Sequence, residues 1–298
     1  MPRRYQIWDV FTEAELAGNP LAVVLDADGL DEARMQRIAG EFNLSETVFV
    51  LPAANAAHSA QIRIFTPGRE LPFAGHPTVG TAVCLAGERF GLEGKHDAVI
   101  VLEETIGAVR CGVTVEGAAG FAEFDCPRLP ELAGEAPFKE AIAAAVNLAP
   151  ADLGFENHIA SHWTAGVPYH FVPVRNMAAL GEASPNSATW RGTFGTVGTF
   201  LYTRETEGHD HAFRGRMFAP GLGISEDPAT GSAAAALAGA VQHFDALPDG
   251  THTMVIEQGY EMGRPSLIRL EIVVERGGIE TVRIGGNAIR VAEGMLSV

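Results

Sequence analysis

The chain has 298 residues, of which 47% are hydrophobic, so it can bury a sizeable core. Its formal net charge of −16 disfavours nucleic acid and anionic membrane surfaces as partners, because both attract clusters of lysine and arginine. The longest apolar run, near residues 231–241, is shorter than the ~18 residues that a membrane-spanning helix needs.

The cysteines and the first residues bear on the compartment. Cys84, Cys111 and Cys126 are odd in number and show no C-x-x-C spacing, which indicates free thiols. Residues 1–10 enter a strand-like pattern directly, without an apolar signal core. We therefore expect a cytoplasmic protein.

The first half is predicted to consist mainly of strands. Asp31 is predicted to cap a helix that Asn43 ends, because apolar side chains between them fall at helical spacing. Glu46 then stands at the mouth of an apolar strand. The strands predicted in this half cover residues 5–11, 21–25, 48–51, 60–66, 99–102, 108–115 and 121–125.

Residues 127–137 hold three prolines and no hydrophobic periodicity, and this composition predicts a linker. A helix is predicted over residues 138–147, and Gly285 with Gly286 is predicted to form a turn. The strands predicted in this half cover residues 157–163, 169–174, 199–203, 211–218, 253–257, 267–274 and 281–284.

An internal repeat organises the chain. R-I-F-T-P-G at Arg63 returns as R-M-F-A-P-G at Arg216, a shift of 153 (216 − 63). H-P-T-V-G-T-A at His76 returns as D-P-A-T-G-S-A at Asp227, a shift of 151 (227 − 76). Both shifts are close to half the chain length, which indicates a duplicated unit.

Each copy runs strand, Pro-Gly loop, polar turn and helix, and the helices are predicted at residues 78–90 and 230–244. Both helices are apolar nearly all round, so each should be buried on every side. We therefore predict an α/β (α+β) fold of two pseudo-symmetric units, 1–126 and 138–298, each a curved barrel-like sheet around a central helix. Residues 289–298 could close either unit.

The two helix starts are the predicted binding site. Backbone N–H groups at a helix start favour an anion, and a local twofold axis would turn the two starts toward each other. A small carboxylate ligand is therefore expected there. His76 and Asp227 occupy the same position in the two copies with different ionisable groups, and Ser232 lies near them.

Glu46 is the predicted proton shuttle. A carboxylic acid half buried in an apolar cleft beside a bound anion has a raised pKa, which suits isomerase chemistry. Helix ends and His76 could stabilise an enolate-like charge, so no metal and no cofactor are predicted. Gly231, Gly75, Asn19 and Thr81 are predicted to contact the substrate.

Each of these residues also has a structural interpretation. Asp227 before proline suits a turn, Ser232 suits a helix cap, His76 could be a loop histidine, and Glu46 a solvated strand end. The spacing of H-D-H at residues 209–211 is typical of metal ligands. No Cys or further His clusters with it, so no metal site is predicted.

Four stretches together resemble the PhzF-like proteins, the phenazine biosynthesis isomerase family, which share the diaminopimelate epimerase fold. They are A-G-N-P-L-A-V-V, N-L-S-E-T-V-F-V, the stretch R-I-F-T-P-G-R-E-L-P-F-A-G-H-P-T-V-G-T-A and E-D-P-A-T-G-S-A. The resemblance implies a cofactor-free isomerase like trans-2,3-dihydro-3-hydroxyanthranilate isomerase, commonly homodimeric. Its glutamate, histidine, aspartate and serine positions fall on Glu46, His76, Asp227 and Ser232.

Two alternatives remain open at this stage. The chain could be another acid–base enzyme, an epimerase or a lyase, acting on a different small acid. The epimerase relatives use cysteines at both helix-start turns, and neither turn here has one, which disfavours a two-thiol racemase. The second alternative is a non-catalytic ligand-binding or protein-interaction module.

Overall fold

A computed structural model describes residues 2–91 and 93–298. The chain divides into two compact units. The first unit comprises Met1–Asp125 together with Gly285–Val298, and the second comprises Cys126–Ile284. The first unit is therefore discontinuous in sequence.

The first unit contains two helices and most of its strands in the first 125 residues. Its helices are α1 (Glu32–Phe42) and α2 (Gly75–Phe90). Its strands are β1 (Arg3–Val10), β2 (Asn19–Val24), β3 (Glu46–Leu51), β4 (Ala60–Phe65), β5 (Glu70–Leu71), β6 (Lys95–Glu104), β7 (Gly107–Glu116) and β8 (Ala119–Asp125).

The strands of the first unit close into a ring. The pairing runs β1–β2–β3–β4–β6–β7–β8, and β17 (Gly278–Leu296) pairs with both β8 and β1, which gives an eight-stranded barrel. Two neighbouring pairs, β2–β3 and β4–β6, are parallel. Parallel neighbours need a crossover connection, and α1 and α2 supply these two crossovers.

Helix α2 lies inside this barrel, where it packs against β1, β2, β3, β6, β7 and β8. Its small residues allow this close approach. A Cβ atom at Gly80 would lie 2.7 Å from both the Leu21 and the Val10 side chains. Helix α1 packs on β3 and β4 instead; the Asp31 side chain caps its start, and Asn43 ends it in the left-handed region with φ of 51°.

The second unit follows the same order with additional helices. Its helices are α3 (Lys139–Ala145), α4 (Met177–Glu182), α5 (Trp190–Phe194) and α6 (Gly231–Asp245). Its strands are β9 (Glu131–Gly134), β10 (Ser161–Thr164), β11 (Pro168–Pro173), β12 (Gly198–Thr203), β13 (Phe213–Ala219), β14 (Ile224–Asp227), β15 (Gly250–Gln258), β16 (Ser266–Glu275) and the first part of β17. Single 3-10 turns cover Pro150–Asp152, Pro220–Leu222 and Tyr260–Met262.

The pairing in the second unit runs β9–β10–β11–β12–β13–β15–β16, with β14 added to β13. The pairs β11–β12 and β13–β15 are parallel, as their counterparts are in the first unit. Helix α6 packs against β9, β10, β11 and β16. Helices α3, α4 and α5 bury a separate apolar cluster against β11, β12 and β13.

The predicted fold class of two related units, each with a curved sheet around a buried helix, is confirmed. The predicted turn at Gly285 and Gly286 is wrong, because both residues lie inside β17. Gly285 is a glycine for a different reason: a Cβ atom there would lie 2.8 Å from the Cβ of Glu123 on β8.

Two further predictions need correction. The predicted strand over residues 157–163 begins only at Ser161, because residues 157–160 form a turn and a bridge. The predicted linker 127–137 contains β9, which pairs with β10. All four β9 residues are exposed, so the strand shows no hydrophobic alternation in the sequence. Over residues 2–91 and 93–298, no helix has the length and apolar character to cross a membrane.

Candidate active site

Glu46 is the first residue of β3 and pairs in register with Leu21 of the parallel neighbour β2. Its side chain is 12% exposed, so a potentially charged group stands at the edge of an apolar strand. The four residues that follow it are buried. This position fits the prediction of a half-buried carboxyl group.

His76 is the second residue of α2 and brings its imidazole to Glu46. The Nε2 atom lies 3.4 Å from Oε2 of Glu46 without forming a hydrogen bond to it. Burial lowers the pKa of His76 to about 3, so its ring is neutral near pH 7. Despite the short distance, the two side chains therefore do not form an ion pair at neutral pH.

The first turn of α2 supplies the other polar groups of this unit. Its N-cap residue, Ala74, provides no side-chain hydrogen bond, so the turn at Gly75 lacks a side-chain cap. The hydroxyl of Thr81 is buried and has no hydrogen-bond partner among the residues described. Asn19, the first residue of β2, is fully buried.

Asp227 ends β14 in the second unit and is held from two sides. Its Oδ2 atom accepts a hydrogen bond from the Thr230 hydroxyl at 2.5 Å, and its backbone oxygen accepts one from Nε2 of Gln258 at 2.7 Å. Gln258 is fully buried and also accepts a hydrogen bond from the Thr230 backbone N–H. Asp227 itself is 8% exposed.

Ser232 lies in the first turn of α6, next to Gly231. Its hydroxyl is 2.7 Å from the hydroxyl of Tyr169 on β11. Thr230, the N-cap residue, makes no side-chain bond to the helix because its hydroxyl is bonded to Asp227. The backbone N–H groups at the start of α6 therefore lack a side-chain cap, as those of α2 do.

The predicted residues thus form two groups. Glu46 and His76 are in contact in the first unit, while Asp227 and Ser232 flank the start of α6 in the second. Within the described ranges, no three His, Cys, Asp or Glu side chains are arranged to hold a metal ion. His211 of the H-D-H segment instead contacts the Glu257 carboxylate at 2.7 Å.

Comparison with known proteins decides the family. The family model described as phenazine biosynthesis-like protein matches residues 8–294. The chain belongs to this family. It is 53% identical over 302 residues to an uncharacterized isomerase of Mesorhizobium japonicum, with 99% of both chains covered.

Two further comparisons, one with a relative and one with a solved structure, support the same family. The chain is 35% identical, over 98% of both chains, to trans-2,3-dihydro-3-hydroxyanthranilate isomerase of Pseudomonas aeruginosa. The solved structure of a PhzF family protein from Bacillus anthracis superposes with a TM-score of 0.89 at 28% identity, with both chains fully covered. The predicted family and the predicted enzyme class, an isomerase, are confirmed.

Several residues that complete the two groups were not predicted from the sequence. Thr78, Glu104, Tyr169, Thr230 and Gln258 are all bonded at or near a helix start. The repeat could have predicted that Glu104 and Gln258 are equivalent. They end equivalent strands at a shift of 154 (258 − 104), close to the shifts of the repeated motifs.

Proposed function

We propose that this isomerase moves a proton between two carbons of a small cyclic carboxylic acid without a cofactor. The observation that supports it most directly is the contact between Glu46 and His76. A carboxylate that can take up a proton faces an imidazole that burial keeps neutral. General acid–base catalysis requires a proton-accepting group within reach of the proton that it removes, and a hydrogen-bond donor beside it can stabilise the charge that develops.

The proposed reaction needs no net proton and no redox partner. The Glu46 carboxylate removes a proton from one carbon, so a C–H bond breaks and an O–H bond forms. The electron pair moves into the conjugated system of the substrate and shifts its double bond. Glu46 then returns the same proton to another carbon, which restores the carboxylate.

The other residues would bind the substrate and stabilise the charge that develops on it. The Nε2 atom of His76 makes no hydrogen bond within the described residues, so it can serve the substrate. We assign Ser232 and the backbone N–H groups near Gly231 to the substrate carboxylate. We assign Asp227 to substrate orientation, since Thr230 and Gln258 fix its position. Asn19, Gly75 and Thr81 would contact the rest of the ligand.

The similarity to trans-2,3-dihydro-3-hydroxyanthranilate isomerase of Pseudomonas aeruginosa suggests the substrate class. We propose an unsaturated ring that carries a carboxylate and a neighbouring amino or hydroxyl group. We further propose that the enzyme works in the cytoplasm as a homodimer. Light scattering of the purified chain at two concentrations should give twice the chain mass at both.

The test is deuterium incorporation, followed by NMR in deuterated buffer with a panel of small unsaturated cyclic carboxylates. The wild-type protein should place deuterium on a ligand carbon, and Glu46→Gln should not. Glu41→Gln is the control, because Glu41 is an exposed glutamate of α1. Exchange that persists at the wild-type rate in Glu46→Gln would remove Glu46 from the mechanism.

A further inference from the structure

Strands β6 and β15 occupy the same place in the two units. Gln61 of β4 pairs with Glu103 of β6, and Arg214 of β13 pairs with Glu257 of β15, in both cases in parallel. Because Arg63 and Arg216 mark the same position of the repeat, Gln61 and Arg214 are equivalent. Glu103 and Glu257 are therefore equivalent by register, and so are their successors Glu104 and Gln258.

The first equivalent pair makes the same contacts in both units. Each carboxylate accepts hydrogen bonds from two neighbouring backbone N–H groups of a loop and contacts Nδ1 of a histidine in that loop. The loop residues are Ala54, Asn55 and His58 for Glu103, and Glu207, Gly208 and His211 for Glu257. Glu103 and Glu257 are therefore equivalent in their contacts as well as in their strand register.

The second equivalent pair lies on the buried side of the strands and reaches the start of the central helix. In the second unit the neutral amide of Gln258 donates to the Thr230 hydroxyl at 3.0 Å and to the Asp227 backbone oxygen at 2.7 Å. It also accepts from the Thr230 backbone N–H at 3.1 Å. Donor and acceptor atoms are both used, which a carboxylate could not do.

Glu104 faces the start of α2 in the same manner. Its Oε1 atom is 2.7 Å from the Thr78 hydroxyl, which is also 2.8 Å from the backbone oxygen of Ala74. A hydroxyl has one hydrogen to donate, and a backbone oxygen can only accept. One hydroxyl hydrogen shared between two acceptors gives two weak bonds, so both contacts are full hydrogen bonds when the Glu104 carboxyl carries a proton and donates it to Thr78.

The surroundings of Glu104 favour its protonated form. The residue is 8% exposed, and burial raises the pKa of its carboxyl to about 8, although a hydrogen bond donated by the Thr78 hydroxyl to the carboxylate opposes this shift. On β7, Cys111 is kept neutral because burial raises the pKa of its thiol. On α2, His76 is neutral because burial lowers its pKa to about 3.

The charged side chains on the strands next to Glu104 lie on the outward side of the sheet, where residues alternate with the buried ones. Arg63 of β4 pairs with Glu70 and Glu32. The others are Lys95, Asp97 and Glu103 on β6, and Arg110 and Glu116 on β7. In α2 the remaining charged residues, Glu88 and Arg89, belong to its last turn. Across the residues that the structure describes, no cation is therefore bonded to Glu104.

We propose that Glu104 is a positioning residue that works as a neutral carboxylic acid, holding the first turn of α2 and with it His76. It does for the first unit what the Gln258 amide does for the second. Loss of its proton redirects the Thr78 hydroxyl from Ala74 to Glu104 and releases one bond of this helix start. This inference rests on the proposed role of His76.

The first test uses the ligand-free protein and needs no substrate. Infrared difference spectra between the wild type and Glu104→Gln at pH 6 should show the carbonyl band of a protonated carboxylic acid. The band should disappear with a midpoint near pH 8, and the His76 ring resonance should shift with the same midpoint in the wild type only. Absence of the band at pH 6 would overturn the proposal.

The second test is the pH profile of deuterium incorporation. The wild-type rate should fall above pH 8. The Glu104→Ala rate should be about tenfold lower than the wild-type rate at every pH, as expected for one lost hydrogen bond. Glu104→Gln should restore the wild-type rate and keep it at high pH. The rate of Thr78→Val should also stop falling above pH 8. This second variant tests the same hydrogen bond if a Glu104 variant folds poorly. Glu116→Gln, at an exposed end of β7, is the control.

The two tests separate this inference from the proposed function. If no ligand exchanges with the wild type, the proposed function fails, while the infrared and His76 measurements still decide the state of Glu104. If the acid band is present but Glu104→Gln keeps the alkaline fall, Glu104 is protonated without positioning His76, and the inference is wrong.

Discussion

The guanidinium of Arg216 and the carboxylate of Glu226 form a bidentate pair, with Nε to Oε1 at 2.8 Å and Nη2 to Oε2 at 2.9 Å. Arg63 and Glu70 make the same pair in the first unit. In each unit the pair joins two strands across the Pro-Gly loop of the repeat. The side chains of Arg216 and Glu226 are only 9% and 15% exposed, so this contact is shielded from water.

Glu226→Gln should therefore destabilise the protein by about 2–4 kcal/mol, because it leaves the buried Arg216 charge unpaired. Urea denaturation measures this change. Arg175→Gln is the control, since Arg175 is 57% exposed in its pair with Asp152 and should cost less than about 1 kcal/mol. Equal losses of unfolding free energy in the two variants would show that the buried pair stabilises the protein no more than the exposed pair does.

Tyr169→Phe should raise the KM of the substrate and leave most of the stability intact. The change removes the hydroxyl that lies 2.7 Å from Ser232, but it keeps the ring, which packs against Gly198. We expect kcat/KM to fall about tenfold, the cost of one hydrogen bond, and Ser232→Ala to lower it further. Unchanged kinetics in both variants would exclude the Ser232 hydroxyl from substrate binding.

His76 should make the protein lose stability in acid. Its pKa of about 3 in the folded state is below the ordinary histidine value of 6.5, so the unfolded chain binds the extra proton. Its contribution is complete above pH 6.5 and decreases as the pH falls toward 3. At pH 4.5 the wild type should have lost about 3 kcal/mol more than His76→Gln, measured by urea denaturation. Parallel pH curves for the two proteins would contradict this.

Two glycines of α2 should respond to alanine in opposite directions. A Cβ atom at Gly80 would lie 2.7 Å from Leu21 and Val10, so Gly80→Ala should cost about 1–3 kcal/mol through overpacking. Nothing lies within 4 Å of a Cβ atom at Gly87, so Gly87→Ala should stabilise the helix by up to about 1 kcal/mol. Thermal unfolding of the two variants tests this. The same sign for both would refute the packing argument.

Local signals in the sequence were sufficient for much of this fold. Asp31 and Asn43 bound α1 as predicted, because caps depend on side chains next to them in sequence. The repeat located the two central helices, since their small residues recur at a nearly constant shift. Short helices such as α5 were missed, because five residues are too few to show a helical period.

The residues behind the site were harder to predict. Glu104 and Thr78 are 26 positions apart, so their hydrogen bond depends on the placement of β6 beside α2. Gly285 was misassigned because glycine marks both turns and close backbone approaches. Glu46 and His76 were each predicted as site residues, but hydrophobic pattern alone does not give the 3.4 Å distance between their side chains.

The strand that closes the first unit has a consequence for how this chain folds. β1 pairs with β17, so that Val10 and Ala288 are partners across 278 positions (288 − 10). During synthesis the whole second unit is made before the part of β17 that belongs to the first unit, which starts at Gly285, and until then the edges of β1 and β8 lack this partner. Loop closure over such a distance is slow, so we expect the second unit to become protease-resistant before the first does.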